Sequence, residues 1–535
     1  MSDWGNMWPE MRLEAHFGDR VVPCLQQRPQ SLHALLRQAV QNNPLGDALV
    51  CAEERLSYAE LMKQSSQLAT GLARRGIKSG DRVAMLLGNR NEFVVTLFAL
   101  AHLGAIAVPI SIREQAPGLA YMLSHCAAVM VIHEVEMAPL LPSSEDAPAL
   151  KHRVAMSTCE GSELFSKLQE VGEAPPVQDV AEEDTAVILY TSGTTGRPKG
   201  AMLTHLGIVH SSLHYQIAMG LGSSDASIAA VPLSHVTGLI ALITTLTLAA
   251  GKLVIMPSFK AADFLMLAER EGMTHTLMVP AMYNLCLLQS DFDKYNLSTW
   301  RIGAFGGAPM PVATIERLAQ TVPALMLMNC YGATETTSPS TLMPPGQTTA
   351  HNDTVGMPLG CVEMRVMDDN GREVLPNVLG EIWIKGPHVV PGYWDNPNAT
   401  QENFTAGFWH SGDIGSMDAQ GYVKVVDRKK DMINRGGYKI YTIEVENALY
   451  AHPAVQECAV VSKPCPVLGE RVHAFVMLKQ MNISDDELRE FCRSRLSDYK
   501  VPESLTLSST PLPRNANGKL LKKDMRDQLL KSLAT

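Results

Sequence analysis

From Ser31 onward the apolar positions alternate between two periods. Leu32, Leu35, Leu36 and Val40 recur at helical spacing, the stretch 81–87 contains a strand-like run at 83–87, and 92–103 reads as a strongly apolar helix. Short apolar runs at 105–110 and 128–133 have strand length. Downstream, strands are predicted at 186–189, 227–231, 253–256, 275–279, 302–305 and 325–329, with helical segments such as 262–270, 281–288 and 312–319 between them. This alternation predicts an α/β fold, a large N-terminal domain of helix-covered, mostly parallel sheets with ligands at the carboxyl ends of the strands. From 362 to 426 the pattern changes to short strands (363–367, 381–385, 422–426) and turns, which suggests a small β unit. Beyond Asp427-Arg428-Lys429-Lys430-Asp431, helices at 443–450 and 485–496 and strands at 457–461, 473–478 and 504–507 predict a small, mobile α+β C-terminal domain. The expected division is therefore 1–429 and 430–535, with a charged hinge between. Residues before about Gln30 show no clear period and read as an arm, and 136–149 and 172–184 read as loops. No fixed internal repeat is present.

The strand at 186–189 runs into Tyr190-Thr191-Ser192-Gly193-Thr194-Thr195-Gly196-Arg197-Pro198-Lys199-Gly200, and after it Leu206, Val209, Leu213 and Ile217 return to helical spacing. The order reads as strand, loop, helix. Three glycines let backbone approach an anion, the hydroxyls of Thr191, Ser192, Thr194 and Thr195 can donate, and Lys199 adds positive charge. A triphosphate suits such a loop. It is not a Walker A loop, because Pro198 precedes Lys199 and Gly200 follows it. By residue type alone, a polar surface loop is the other reading.

Composition narrows the partners. With 535 residues the chain is long enough for several packed units, and a formal net charge of -10 argues against nucleic acid. Ten cysteines without a CxxC pair read as scattered reduced thiols in a cytoplasmic protein, with no metal site visible among them. The first twenty residues carry both signs of charge and no apolar h-region, so no secretory signal is expected. Between Asp225 and Lys252 no charged residue occurs, which is long enough to cross a bilayer. Pro232, Ser234, His235 and several threonines interrupt it, so burial in the α/β core is expected and no transmembrane segment.

The loop at 190–200 resembles the signature of the acyl-adenylate-forming superfamily, which includes acyl-CoA and aryl-CoA synthetases, peptide-synthetase adenylation domains and beetle luciferases. Further motifs fall in that family's order, so the resemblance spans roughly 31–523. It implies that Thr191, Ser192, Gly193, Thr194, Thr195 and Lys199 cradle the ATP phosphates. Gly306-Gly307-Ala308-Pro309 is similar to the family's adenine and acyl-pocket wall, and a tight strand-to-helix turn is compatible with that. In Tyr331-Gly332-Ala333-Thr334-Glu335 the resemblance implies that Tyr331 stacks near adenine, Thr334 binds the α-phosphate and Glu335 holds Mg²⁺, a hard cation suited to carboxylate oxygen. Asp413 and Arg428 match the ribose-binding pair; a salt-bridged turn is the plainer reading. Lys430 stands where the family has its hinge, although a solvated linker would also carry such a charge. Lys519, in Pro513-Arg514-Asn515-Ala516-Asn517-Gly518-Lys519, is in register with the adenylation lysine, whose flexible stem delivers a compact cation to the reacting oxygens. Lys522 and Lys523 are expected to be solvated. His235 matches the gate between acyl and ATP sites, with Ser234 where relatives often carry an aromatic residue. Gly436 and Gly437 match the loop lining the CoA tunnel, and a Gly-Gly pair also simply makes turns.

The resemblance implies an AMP-forming carboxylate–CoA ligase that uses ATP, CoA and Mg²⁺ to turn a carboxylic acid into its adenylate and then its thioester. His235, Val236, Leu239, Ala304, Phe305 and Gly306 would line an apolar acyl pocket, favouring a fatty or aromatic acid and disfavouring a dicarboxylate. The alternatives are a free-standing adenylation enzyme that loads a separate carrier protein, since 520–535 is too short for a carrier domain, and a catalytically silent ATP or acyl-ligand binder. Oligomeric state is open, with a homodimer one option.

Overall fold

The computed structural model describes residues 4–169, 172–191, 197–308, 310–479, 483–514 and 520–534. The chain divides into two compact units, one made of Met1–Met364, Trp383–His410 and Gln420–Val423, the other of Arg365–Ile382, Ser411–Ala419 and Lys424–Thr535.

The first unit is the expected α/β architecture. A seven-stranded sheet runs in the order Lys199–Thr204, Thr185–Thr191, Ile106–Pro109, Arg82–Leu86, Met130–His133, His152–Ala155 and Glu163–Leu164. All its pairings are parallel except the first. A nine-stranded sheet has parallel strands Met326–Tyr331, Ile302–Gly306, His275–Met278, Ala226–Ala229, Lys252–Ile255 and Asp47–Cys51 at its centre, with antiparallel strands at both ends. Helices begin where local chemistry predicts. Ser31 caps Leu32–Asn42 by accepting from the Ala34 N–H, and Ser57 with Glu60 forms a capping box on Tyr58–Arg74. Asn91–Leu103 is buried almost all round, which is why its apolar run shows little amphipathic period. The uncharged stretch after Asp225 is a buried strand followed by a π-helical run, Thr237–Thr244, and the short helix Thr245–Ala249. Among the described residues no helix is long and apolar enough to cross a membrane.

Three expectations change. The arm is a folded antiparallel ribbon, Met11–His16 with Arg20–Leu25, turned at Phe17 and Gly18 in left-handed backbone. In Met11–His16 the apolar set Met11, Leu13 and Ala15 is the exposed one while Glu14 and His16 turn inward, so no apolar stripe marks a core face, and long-range bonds stabilise it: the Arg28 guanidinium donates to Glu14 at 2.7 Å and to Glu182 at 2.7 Å. Arg28 holds the Glu14 carboxyl down to about 2, so although Glu14, His16 and Cys24 bring ligand atoms within 4.8 Å of one another, a cation there would have to displace Arg28. The second change lies at the glycine-rich loop. After it comes a strand, Lys199–Thr204, which pairs antiparallel with Thr185–Thr191 before the helix His205–Met219 starts at the Thr204 cap. The order is strand, loop, strand, helix. The short run 199–204 is buried on both faces and so lacks the alternation that marks a strand.

In the second unit, strands Tyr438–Ile440, Ile433–Arg435, Gly469–Leu478 and Val455–Cys465 pair antiparallel in that order, and Ser504–Ser508 joins Gly469–Leu478 in parallel. Val445, Leu449, Val460, Ala474, Val476 and Leu488 pack its core. The third change is here. Lys522, expected to be solvated, starts the helix Lys522–Ala534 and donates to Glu446 at 2.7 Å and to the Thr442 hydroxyl at 2.9 Å. Lys523 is exposed.

Candidate active site

The hairpin of Thr185–Thr191 and Lys199–Thr204 brings Thr191 opposite Lys199. Parallel strand Met326–Tyr331 ends just before Glu335, so a strand carboxyl end in each sheet leads to Thr191 and Glu335, while Lys199 opens the antiparallel strand beside Thr191. The Thr191 hydroxyl donates to Glu335 Oε1 at 3.2 Å, and the Tyr393 hydroxyl donates to the same oxygen at 3.0 Å. The Lys199 ammonium lies 5.0 Å from the centre of the Tyr393 ring, in cation–π range. Lys199, Glu335 and Tyr393 are 8%, 9% and 5% exposed, so these groups meet in a largely water-excluded place. Burial, with the Glu335 carboxylate beside it, pushes the Tyr393 phenol above its ordinary range and keeps it a donor at neutral pH.

Among the described residues Glu335 Oε2 makes no hydrogen bond, and Glu335 makes no ion pair. A carboxylate with one oxygen taken by neutral hydroxyls and the other open fits a hard cation such as Mg²⁺. Lys199 is likewise without an ion-pair partner among the described residues, a buried cation suited to an anionic ligand. Tyr393 was not singled out from the sequence. It sits in Gly392-Tyr393-Trp394, which carries no periodic or motif signal of its own and reaches the hairpin only through tertiary pairing: Ala201 bridges to Tyr393, and the Trp394 N–H donates to the Gly200 carbonyl at 2.7 Å.

The other expected residues fall as follows. Ser192, Gly193, Thr194, Thr195, Pro309 and Lys519 lie outside the described residues. Gly306 closes strand Ile302–Gly306, where a Cβ would sit 2.5 Å from the Cys330 carbonyl oxygen, so strand packing by itself requires glycine there. Gly307 and Ala308 are exposed beyond the strand end. Tyr331 and Gly332 lead from strand Met326–Tyr331 to the turn of 3₁₀ helix Thr334–Thr336. His235 is half-buried with its Nδ1 3.3 Å from the Thr237 hydroxyl, and burial lowers its basicity, so it is neutral at pH 7. Val236, Leu239, Ala304 and Phe305 are buried apolar side chains. A surface cavity of about 310 Å³ is lined by Leu287, Leu288, Phe292 and Arg317 among others, and by none of these expected acyl-pocket residues.

In the second unit, Arg428 Nε and Asp413 Oδ1 form an ion pair at 2.8 Å, with the Asp413 side chain 6% exposed and Arg428 39% exposed. The Arg428 guanidinium also donates to the Ser411 carbonyl at 3.2 Å. Lys430 is exposed in the turn after strand Val423–Arg428. Gly436 and Gly437 are the two-residue turn between Arg435 and Tyr438, with φ of 58° and 92°, left-handed at both positions as a tight hairpin turn requires. Both are exposed, and a Cβ on Gly437 would meet nothing within 4 Å.

The family described as AMP-binding enzyme matches residues 36–394, well over half of the chain. The chain belongs to that family. The family's C-terminal domain, AMP-binding enzyme C-terminal domain, matches residues 444–519. Feruloyl-CoA synthase from Amycolatopsis sp is 34% identical over 500 residues, covering 93% of this chain and 99% of that one. Long-chain-fatty-acid–CoA ligase FadD13 from Mycobacterium tuberculosis is 31% identical over 499 residues, covering 92% and 97%. Among solved structures, o-succinylbenzoate CoA synthetase (MenE) from Bacillus subtilis in complex with its acyl-adenylate intermediate superposes with a TM-score of 0.84 at 28% identity, covering 94% of this chain and 98% of that one. The same enzyme in complex with ATP and magnesium ion superposes with a TM-score of 0.82 at 28% identity, covering 94% and 100%.

Proposed function

We propose that this chain is an AMP-forming carboxylate–CoA ligase that activates an apolar acid, fatty or aromatic, as its adenylate and passes the acyl group to CoA. The observation that carries the reading is the cluster of Thr191, Lys199, Glu335 and Tyr393, a buried cation and an open carboxylate oxygen beside the glycine-rich hairpin. Family membership over both domains, and relatives named as CoA ligases for feruloyl, long-chain fatty and succinylbenzoate acids, support it. The buried apolar side chains of Val236, Leu239, Ala304 and Phe305 support an apolar substrate.

In the first half-reaction the substrate carboxylate oxygen attacks the α-phosphorus of ATP, the bond to the β-phosphate oxygen breaks, and pyrophosphate leaves. Lys199, with the loop hydroxyls of 191–195, binds the phosphates, and Lys519 stabilises charge at the α-phosphate. Glu335 would hold Mg²⁺, which when bound offsets the charge on the departing phosphates. Thr334, Tyr331, Gly332 and residues 306–309 are assigned to the nucleotide, and Asp413 with Arg428 to the ribose. In the second half, the CoA sulfur attacks the acyl carbonyl and AMP departs. We assign Lys430 as the hinge of a 430–535 domain that turns between the halves, His235 as the gate, and Gly436 and Gly437 as the passage for the pantetheine arm. The ten free cysteines and the use of ATP and CoA support a cytoplasmic location.

The test is product identity. Purified protein with ATP, Mg²⁺ and a panel of short, medium, long and aryl acids is expected to release AMP and pyrophosphate and to form thioester on adding CoA. Release of ADP and phosphate, or transfer to a carrier protein in preference to CoA, would overturn it.

A further inference from the structure

Tyr393 touches both charged members of the cluster. Its hydroxyl donates to Glu335 Oε1 at 3.0 Å, while its ring lies beneath the Lys199 ammonium at 5.0 Å. Lys199 and Glu335, two buried opposite charges that both contact Tyr393, form no ion pair with each other or with any other described residue. In a low-dielectric site such charges attract strongly, and a direct pair would occupy both: the ammonium would be lost to phosphate and the carboxylate to a cation. Tyr393, in contact with both, is the side chain placed to keep them apart.

The residue is held on every side. Ala201 bridges its backbone, its N–H donates to the Thr400 hydroxyl at 3.0 Å, the flanking Gly392 carbonyl accepts from the Met202 N–H at 3.2 Å, and the Phe404 ring meets its own edge-on at 5.9 Å. A side chain locked in this way keeps its hydroxyl on one carboxylate oxygen at no ordering cost when a ligand arrives. Because the Thr191 hydroxyl is on the same oxygen, both donors orient the carboxylate and leave Oε2 for a ligand.

We infer that Tyr393 is a positioning residue of the adenylation site, a spacer that keeps Lys199 and Glu335 apart and presents Glu335 Oε2 to the divalent cation. This rests on the reading of Glu335 as the cation holder given above. A tyrosine that only filled the core would share the burial, but removing its hydroxyl would not weaken cation binding.

The experiment measures Mn²⁺ binding by electron paramagnetic resonance, with full-length protein and α,β-methylene-ATP, for wild type, Tyr393→Phe, Thr191→Val, the double variant and Glu335→Gln. Tyr393→Phe keeps the ring and loses only the hydroxyl; it is expected to raise the Mn²⁺ dissociation constant roughly tenfold, as loss of a ligand-orienting partner does. The Mg²⁺ concentration giving half-maximal pyrophosphate release is expected to rise with it. Thr191→Val removes the other donor to the same oxygen, and the two changes are expected to be non-additive in the double variant. Tyr393→Leu, which also removes the ring beneath Lys199, is expected to weaken binding of the nucleotide analogue as well. If Glu335→Gln weakens Mn²⁺ binding while Tyr393→Phe matches wild type, the spacer role is refuted. If Glu335→Gln itself binds Mn²⁺ like wild type, the cation assignment fails and the spacer role falls with it.

Discussion

His214 makes the stability of the first unit sensitive to acid. Its ring is fully buried between Trp8, at 5.7 Å centre to centre, His210 at 6.5 Å and His388 at 5.6 Å. Neither of its nitrogens makes a hydrogen bond, and the Gly360 backbone beside the ring raises its pKa by less than burial lowers it. Burial pulls its pKa down to about 4, against about 6.5 for an exposed histidine. The folded value is the lower one, so the unfolded chain binds more protons as pH falls below about 6.5. The stability tied to the neutral ring is complete above that pH and is lost through the window down to about 4. Between pH 7 and pH 5 the unfolded ring becomes almost fully charged while the folded ring stays neutral, which costs about 2 kcal/mol. His210, at about 3, and His388, lowered by burial and then by its two histidine neighbours, add to the same trend, although the three rings titrate as a coupled set. The perturbation is His214→Leu, and the assay is urea unfolding at pH 7, 6 and 5 followed by tryptophan fluorescence, with Trp8 as a local reporter. Wild type is expected to lose stability steeply as pH falls, and the variant to lose about 2 kcal/mol less over the same two pH units. An identical pH slope in both proteins would refute the argument.

Three further outcomes are expected. Lys522→Met leaves Glu446, whose carboxyl is raised by burial, without its cation, and should cost the second unit about 2–4 kcal/mol in urea unfolding or hydrogen exchange of strands Val455–Cys465 and Gly469–Leu478. Much of that should return in a Lys522→Met, Glu446→Leu double variant, and a loss below about 0.5 kcal/mol would sink the idea that this pair pins the last helix. Lys519→Ala should abolish pyrophosphate release yet largely spare thioester formation from supplied acyl-adenylate; equal loss of both halves removes the adenylation role. Lys430→Pro should do the reverse, and unimpaired thioester formation would end the hinge assignment.

How much could be read from the chain depended on distance along it. The helix at Leu32–Asn42 and the strands Ile302–Gly306 and Glu363–Met367 were legible because a cap, an apolar period or a bounded run lies within a few residues. The ribbon Met11–His16 and Arg20–Leu25 was not, because Arg28 and Glu182, which hold it, are remote in sequence or outside its pattern. Lys522 looked like one more surface lysine among neighbours of the same kind. Only the fold gave it Glu446 and Thr442.

The amino-acid order therefore determined the architecture, the family motifs and the residue types that chemistry at the site requires, since each of these is written in local period and local side-chain supply. The tertiary structure decided that the strands on either side of the glycine-rich stretch pair antiparallel, and that Thr191, Glu335, Tyr393 and Lys199 share one buried place. Hydrogen bonds between residues far apart in the chain depend on strand register and on which faces close on each other, and no periodicity in the sequence carries that information.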